Sequence, residues 1–275
     1  MAEYKLIGKD YTTPDMLAKV TGRSKYAEDF RAEGMLFAKL LLSPMPHARV
    51  RRLDTSAAMA MPGVEAILTA DDLPEAEAPQ EAGLTNEPLY EGDPILAIAA
   101  VDEETAAEAI EAVEIDFEPL PFVLDPMESL RPDGPNARLD GNTMAGRDLS
   151  TIKWDNVDWN EFDRGVMPLG GEVTDEWQVG DVEAGFAEAD LVLDESVFSA
   201  SLSHQPLETR SAMAYWQNGK CYMHCSTQST ARTEGGMARG IGVDPEDLVL
   251  ITEYCGGGFG SKISANIQAR VTALL

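Results

Sequence analysis

The chain has 275 residues, of which 44% are hydrophobic, enough apolar material for two domains of ordinary size. Its 48 acidic residues against 21 basic ones leave a net charge of −27, which argues against a nucleic-acid backbone or an anionic membrane surface as partner. Three cysteines imply no disulfide framework, no apolar run approaches the roughly 18 residues that span a bilayer, and the polar start shows no leader pattern; the expectation is a soluble, cytoplasmic protein.

Residues 1–34 are polar, turn-rich and without a clear period. The apolar run 35–42, broken only by Lys39, predicts a strand. Pro44 and Pro46 then force a turn. Residues 48–53 alternate Val50 and Leu53 with arginines and predict a half-exposed strand. Asp54 or Thr55 caps a short helix over 56–61, which Pro62-Gly63 ends. Residues 64–69 predict another strand and 70–74 a single helical turn. The stretch 74–93, rich in Glu, Ala, Pro and Gly, predicts an exposed loop. Residues 94–101 form a continuous apolar strand, and Asp102 caps an amphipathic helix over 105–113. Residues 113–117 alternate as a strand. Strands and helices interleave, so the first half is α/β or α+β.

Between 119 and 180, Pro119, Pro121, Pro126, Pro132 and Pro135 with scattered Gly and Asn forbid long regular elements, which marks a domain boundary. Trp154, Trp159, Phe162 and Trp177 in this acidic stretch read as pins for a linker. Asp181 caps a helix over 182–189, with Val182, Phe186 and Ala189 about one turn apart. Residues 191–203 predict a strand, as do 211–216 and 221–225, joined by the hairpin signal Asn218-Gly219. A helical stretch opens at 227–230 and runs toward Gly240. Residues 248–251 read as a buried strand, and 264–275 as a helix.

Between those last two elements lies Cys255-Gly256-Gly257-Gly258-Phe259-Gly260-Ser261-Lys262. Consecutive glycines let backbone approach a ligand closely, and successive N–H groups in such a turn can form an anion-binding concavity. Two phosphate loops are excluded. A P-loop needs Gly before the Lys and Ser or Thr after it, where Ser261 and Ile263 stand; a dinucleotide fingerprint needs a third glycine where Ser261 stands. Cys221-Tyr222-Met223-His224-Cys225 reads as a strand with both thiols on one face and His224 on the other, rather than as a zinc site. The polar run His204-Gln205-Pro206-Leu207-Glu208-Thr209-Arg210 is either a structural ion pair, Glu208 with Arg210 or another cation, or the border of a polar cavity. No serine sits in a nucleophile elbow.

Taken together, His204 to Glu208, Ser226-Thr227-Gln228 and Gly256 to Lys262 resemble the molybdenum-binding large subunit of the xanthine dehydrogenase/aldehyde oxidase family, the molybdenum hydroxylases. The resemblance extends to Gly180-Asp181-Val182-Glu183-Ala184-Gly185-Phe186, Ala70-Asp71-Asp72-Leu73-Pro74 and Tyr90-Glu91-Gly92-Asp93-Pro94. It implies an α+β chain: an N-terminal α/β hammerhead-like domain over 1–135, a linker over 136–179 and the first part of a mixed α/β molybdopterin-binding domain over 180–275. It implies that Gln228 is the catalytic residue of this part, near the metal's ligands, and that Gly257, Gly258, Phe259 and Gly260 bind the cofactor. The metal is held by the pterin dithiolene, so no protein side chain is expected to ligate it. The implied cofactor is a molybdenum–pterin, expected as molybdopterin cytosine dinucleotide, with iron–sulfur clusters and FAD on partner subunits.

The implied reaction is hydroxylation with oxygen taken from water, electrons leaving through iron–sulfur clusters to a flavin. Purine-oxidising members carry Glu directly after the Lys of this turn, where Ile263 stands, so the expectation shifts to an aldehyde or aromatic heterocycle. The alternatives are a carbon monoxide dehydrogenase-like substrate or a non-catalytic acidic scaffold. The family's catalytic glutamate and second molybdenum domain find no match here. The chain is therefore expected to be a fragment or one part of a split subunit, inactive without a partner chain that completes the molybdenum domain.

Overall fold

The computed structural model describes residues 4–73, 83–133, 153–166, 175, 177–195, 197, 199 and 202–275. They fall into two compact bodies, one built from Met1–Leu120 together with Ser203–Leu275, the other from Pro121–Leu202.

The first body opens with α1 (Met16–Val20), β1 (Phe37–Leu42), β2 (Ala48–Asp54), α2 (Ser56–Met59), β3 (Val64–Leu68), β4 (Pro94–Ala100), α3 (Glu103–Glu111) and β5 (Glu114–Pro119). β4 is the middle strand of an antiparallel sheet ordered β1-β4-β3, and every one of its residues is buried. That explains the unbroken apolar run: a central strand covered on both faces has no polar side to alternate with. α3 covers one face, placing Ala106 and Ala109 against Leu96, Ile98 and Ala100. The Asp102 carboxylate accepts from Thr105 N–H at 2.7 Å, which caps the helix and holds that carboxyl below the usual carboxylate range. β2 pairs with β5, and its arginines lie in ion pairs: Arg49 with Glu87, and Arg51 with Glu118.

The loop expected to be exposed is so only in part over its described residues: Asn86, Tyr90 and Glu91 are exposed. Leu84 and Pro88 are buried, because 83–93 runs back over the strands and bonds to them: Thr85 N–H donates to Pro94 O, while Pro88 O and Asn86 O accept from the Ala48 and Val50 N–H groups. Residues 74–82 lie outside the described set.

The second body holds α4 (Pro126–Ser129), α5 (Asn156–Phe162) and α6 (Val182–Glu188). Trp154, Trp159 and Phe162 pack on one another with ring centroids 5.4–5.5 Å apart, and the Arg131 guanidinium lies over Trp159. They thus build a small core of their own, and Trp177 stands in solvent. The strand expected over 191–203 is corrected. Residues 191–195 carry no strand and Leu191 is 73% exposed, since no described strand lies beside them to receive their backbone groups. Residues 196, 198, 200 and 201 are outside the described set.

Returning to the first body, the chain forms β6 (Ala212–Gln217), β7 (Lys220–Cys225), α7 (Thr230–Ile241), β8 (Leu248–Ile251) and α8 (Ile267–Leu274). Asn218 and Gly219 both have positive φ, 53° and 78°, the tight reversal that matches strand twist. Cys221, Met223 and Cys225 point inward against Met237, Ala238, Ile241 and Ala269. His224 points the other way and stacks on Phe30 at 3.8 Å. A further cluster joins Ala97 of β4 and Leu84 to Ile267 and Val271 of α8, so the hammerhead-like strands and the C-terminal helix share a core.

Candidate functional site

Three polar segments leave one end of the β6-β7-β8 sheet together. β7 and β8 are parallel, with His224 opposite Ile251, so both chains exit at the same edge: one into Ser226-Thr227-Gln228, the other into the glycine turn. β6 is antiparallel to β7, with Ala212 opposite Cys225, so residues 204–211 enter at that edge too. The carboxyl ends of parallel strands are the usual place for a ligand in α/β sheets.

The turn at 256–262 wraps the Gln228 side chain. Gln228 Oε1 accepts from Gly260 N–H at 2.9 Å and from Lys262 N–H at 3.3 Å. Its own N–H donates to Lys262 O at 2.9 Å, and the buried Thr227 hydroxyl donates to the same carbonyl at 2.8 Å. The Thr233 hydroxyl of α7 reaches Ile263 O at 3.0 Å, fixing the exit of the turn. Gly258 sits against the Gln228 amide so closely that an added Cβ would lie 2.8 Å from Cδ and nearer still to Oε1. Gly257 and Gly260 have φ of 104° and 103°, where a side chain is strained. Phe259 has φ 53° without that excuse, and the residue is 73% exposed. A non-glycine residue held in this region is strain that the surrounding bonds must over-determine.

The turn is pinned at both ends by Glu208. Its carboxylate Oε2 accepts from Gly256 N–H at 2.7 Å and from the Lys262 ammonium at 3.0 Å. The same ammonium donates to Glu208 O at 2.6 Å. The ion pair of the polar run is therefore made with Lys262, while Arg210 donates to Ser261 O at 2.6 Å. Sequence reasoning noticed both Glu208 and Lys262 but did not join them. They lie 54 residues apart, and the pairing follows from the strand order.

The structure thus brings Gln228, Gly258 and Gly260 into one contact set, places Gly257 behind the Phe259 ring, and leaves that ring facing outward. Among the described residues, the N–H groups of Gly257, Gly258 and Phe259 meet no acceptor, and neither does the Gln228 amide nitrogen. No group of three or more His, Cys, Asp or Glu among them is placed to hold a metal. Burial pushes the Cys221 and Cys225 thiols up to about 11, which keeps them protonated and unsuited to ligation. This donor-rich wall fits an anionic group that carries its metal on its own ligands. A separate groove of about 650 Å³ runs past Phe37, Ala99, Trp216 and Val271, and contains neither Gln228 nor the turn.

A backbone-donor wall at the carboxyl edge of parallel strands, in one body with a hammerhead-like sheet, defines a fold built to present main-chain donors to an anionic ligand. Residues 21–121 match the family model described as aldehyde oxidase and xanthine dehydrogenase, a/b hammerhead domain, and residues 167–275 match the molybdopterin cofactor-binding domain. The chain belongs to the xanthine dehydrogenase/aldehyde oxidase family, and corresponds to the N-terminal portion of its molybdenum-binding large subunit. It is 27% identical to the nicotinate dehydrogenase large molybdopterin subunit of Eubacterium barkeri, covering 99% of this chain and 59% of that protein. It is 32% identical to the carbon monoxide dehydrogenase large chain of Afipia carboxidovorans, over 89% of this chain and 30% of that one. Among solved structures, a Cu,Mo-CO dehydrogenase superposes with a TM-score of 0.72 at 26% identity, over 97% of this chain and 33% of that one. The aldehyde oxidoreductase of Desulfovibrio gigas gives 0.71 at 26% identity, over 97% of this chain and 29% of that one. No helix among the described residues is long and apolar enough to cross a membrane.

Proposed function

We propose that this chain supplies one wall of a molybdenum–pterin site in a heteromeric molybdenum hydroxylase. The division of labour proposed is a hammerhead-like domain over 1–135, a linker over 136–179 and cofactor-binding residues over 180–275. The observation that carries the reading is the convergence of Gly260 and Lys262 N–H on Gln228 Oε1 beside three N–H groups that meet no acceptor among the described residues. Its match to a cofactor-binding domain supports the same reading.

When bound, the group supplies two-electron oxidation of an electron-poor carbon with oxygen from water. The chain's residues orient it. The Gln228 Oε1 lone pairs are already used, so only its amide N–H hydrogens are left to donate. An amide is no general base, so Gln228 acts by holding an acceptor, with Gly257, Gly258 and Phe259 N–H groups as neighbouring donors. Glu208 is committed to Gly256 and Lys262, and the proton-accepting carboxylate is assigned to another part of the enzyme.

The substrate proposed is an aldehyde or aromatic heterocycle, with Ile263 after the turn's Lys weighing against purines. A carbon monoxide dehydrogenase-like substrate is the second reading, favoured by the 32% identity to that large chain. The proposed cofactor form is molybdopterin cytosine dinucleotide, the partners a chain completing the molybdenum domain and iron–sulfur and FAD subunits, and the compartment the cytoplasm. Metal and pterin analysis of the purified complex containing this chain tests the reading: near-equimolar molybdenum and pterin are expected. An active assembly lacking both would sink it, and a pure scaffold would show neither cofactor nor turnover.

A further inference from the structure

We propose that Glu208 and Lys262 form a buried electrostatic clamp that positions Gln228 and the donor N–H groups of the glycine turn. Both are positioning residues, acting through main-chain groups and Gln228 rather than on the reacting atoms. The inference rests on the cofactor reading above.

Lys262 is 1% exposed, and the Glu208 side chain is 8% exposed. Burying two charges is costly, and an apolar pair of similar volume generally stabilises as well or better, so fold stability alone does not account for the pair. Nor is the carboxylate satisfied as a purely structural group would be. Its Oε1 is buried and meets no donor among the described residues, while Oε2 takes both Gly256 N–H and the ammonium. That one oxygen ties the first residue of the turn to the last. Glu208 also donates its N–H to Gly256 O at 3.4 Å, and an added Cβ on Gly256 would collide with Glu208 Cβ. At the other end, the main chain of Lys262 accepts from Gln228 N–H and Thr227, and donates to Gln228 Oε1. A displacement of the ammonium therefore moves the carbonyl and N–H that hold Gln228. A methionine in its place would fill the volume but leave Glu208 O and Oε2 without their charged donor.

The test compares Glu208→Gln, Lys262→Met and the double variant in the assembled complex. It reads amide hydrogen exchange across 256–262, molybdenum and pterin content, and the molybdenum(V) EPR line shape per metal. Each single variant should speed exchange at Gly260 and Lys262 by about tenfold or more, leave β7 and β8 amides unchanged, and alter the line shape. The uncharged double variant should recover overall stability without recovering slow exchange in the turn. Wild-type exchange and line shape in the double variant would reduce the pair to a structural role and overturn the proposal. If Lys262→Met does not assemble, Lys262→Arg takes its place. It keeps the charge, so wild-type exchange is expected there, and the assembled Glu208→Gln variant then carries the refutation: unchanged exchange at Gly260 in it would overturn the clamp. Faster exchange in a complex that never held molybdenum or pterin would uphold the clamp and sink the cofactor reading instead.

Discussion

Gly258→Ala is the smallest change that separates position from stability at this wall. The new Cβ would lie 2.8 Å from Gln228 Cδ and 3.0 Å from Gln228 Cβ. Carbon atoms settle at about 3.5–4.0 Å, so the amide must retreat by about 1 Å or swing away. Gly258 is not in the left-handed region, so alanine meets no backbone strain and the effect is steric alone. Gln228 is exposed and free to leave into water. What is lost is the pair of bonds from Gly260 and Lys262 N–H. At about 0.5–1.5 kcal/mol net each, partly returned by water, the cost in stability is about 1–2 kcal/mol. A 1 Å error in a positioned group, by contrast, costs about 100-fold in rate. The assay is turnover per bound molybdenum in the assembled complex, set beside its denaturation midpoint. The expected result is turnover down by about 100-fold with a midpoint shift worth no more than about 1–2 kcal/mol. Turnover per molybdenum within about twofold of wild type would refute the assignment of Gln228 as a placed donor.

Other tests address different links. Gln228→Ala should lower turnover by about 10- to 100-fold while molybdenum and pterin content hold, as metal analysis beside kinetics would show. Alkylation of the native protein at pH 8 should modify half-buried Cys255 first and reach Cys221 and Cys225 only after unfolding, which peptide mass mapping would check. Because burial raises those two thiols to about 11 in the folded state, their contribution to stability is complete below 9.0 and is lost as pH rises through 11; denaturant titrations across that window should show the decline. Met237→Ala empties a fully buried position between α7 and β7 and should cost about 2–5 kcal/mol in the same titrations.

The elements that were legible in the sequence are those whose signal is local. The unbroken apolar run of β4, the Asp102 cap and the Asn218-Gly219 reversal each state their structure within a few residues, and each stands as read. The C-terminal helix begins at Ile267, capped by Asn266, not at 264, because residues 263–266 are occupied in carrying the turn back past Thr233. Residues 191–195 failed because alternation predicts a strand only where a neighbour exists to pair with it. At the site, the residue types were visible but their assembly was not. Nothing local says that β7 and β8 run parallel, and it is that pairing which brings Gln228 to Gly258 and Glu208 to Lys262.

The first body is written in the sequence as two passages, Met1–Leu120 and Ser203–Leu275, with Pro121–Leu202 between them. Thermodynamically the interruption matters little, since each doubling of a connecting loop adds only about 0.6 kcal/mol of closure entropy. Its effect falls on the order of events during synthesis. β4 emerges from the ribosome well before Ile267 and Val271, so the face carrying Ala97 has only Leu84 and its early neighbours to cover it while the whole intervening passage is translated. Gln228, the glycine turn and the Glu208–Lys262 pair all belong to the later passage. The proposed cofactor wall is therefore a late product of synthesis, and the helix that completes the core shared with the early sheet follows it directly in the chain.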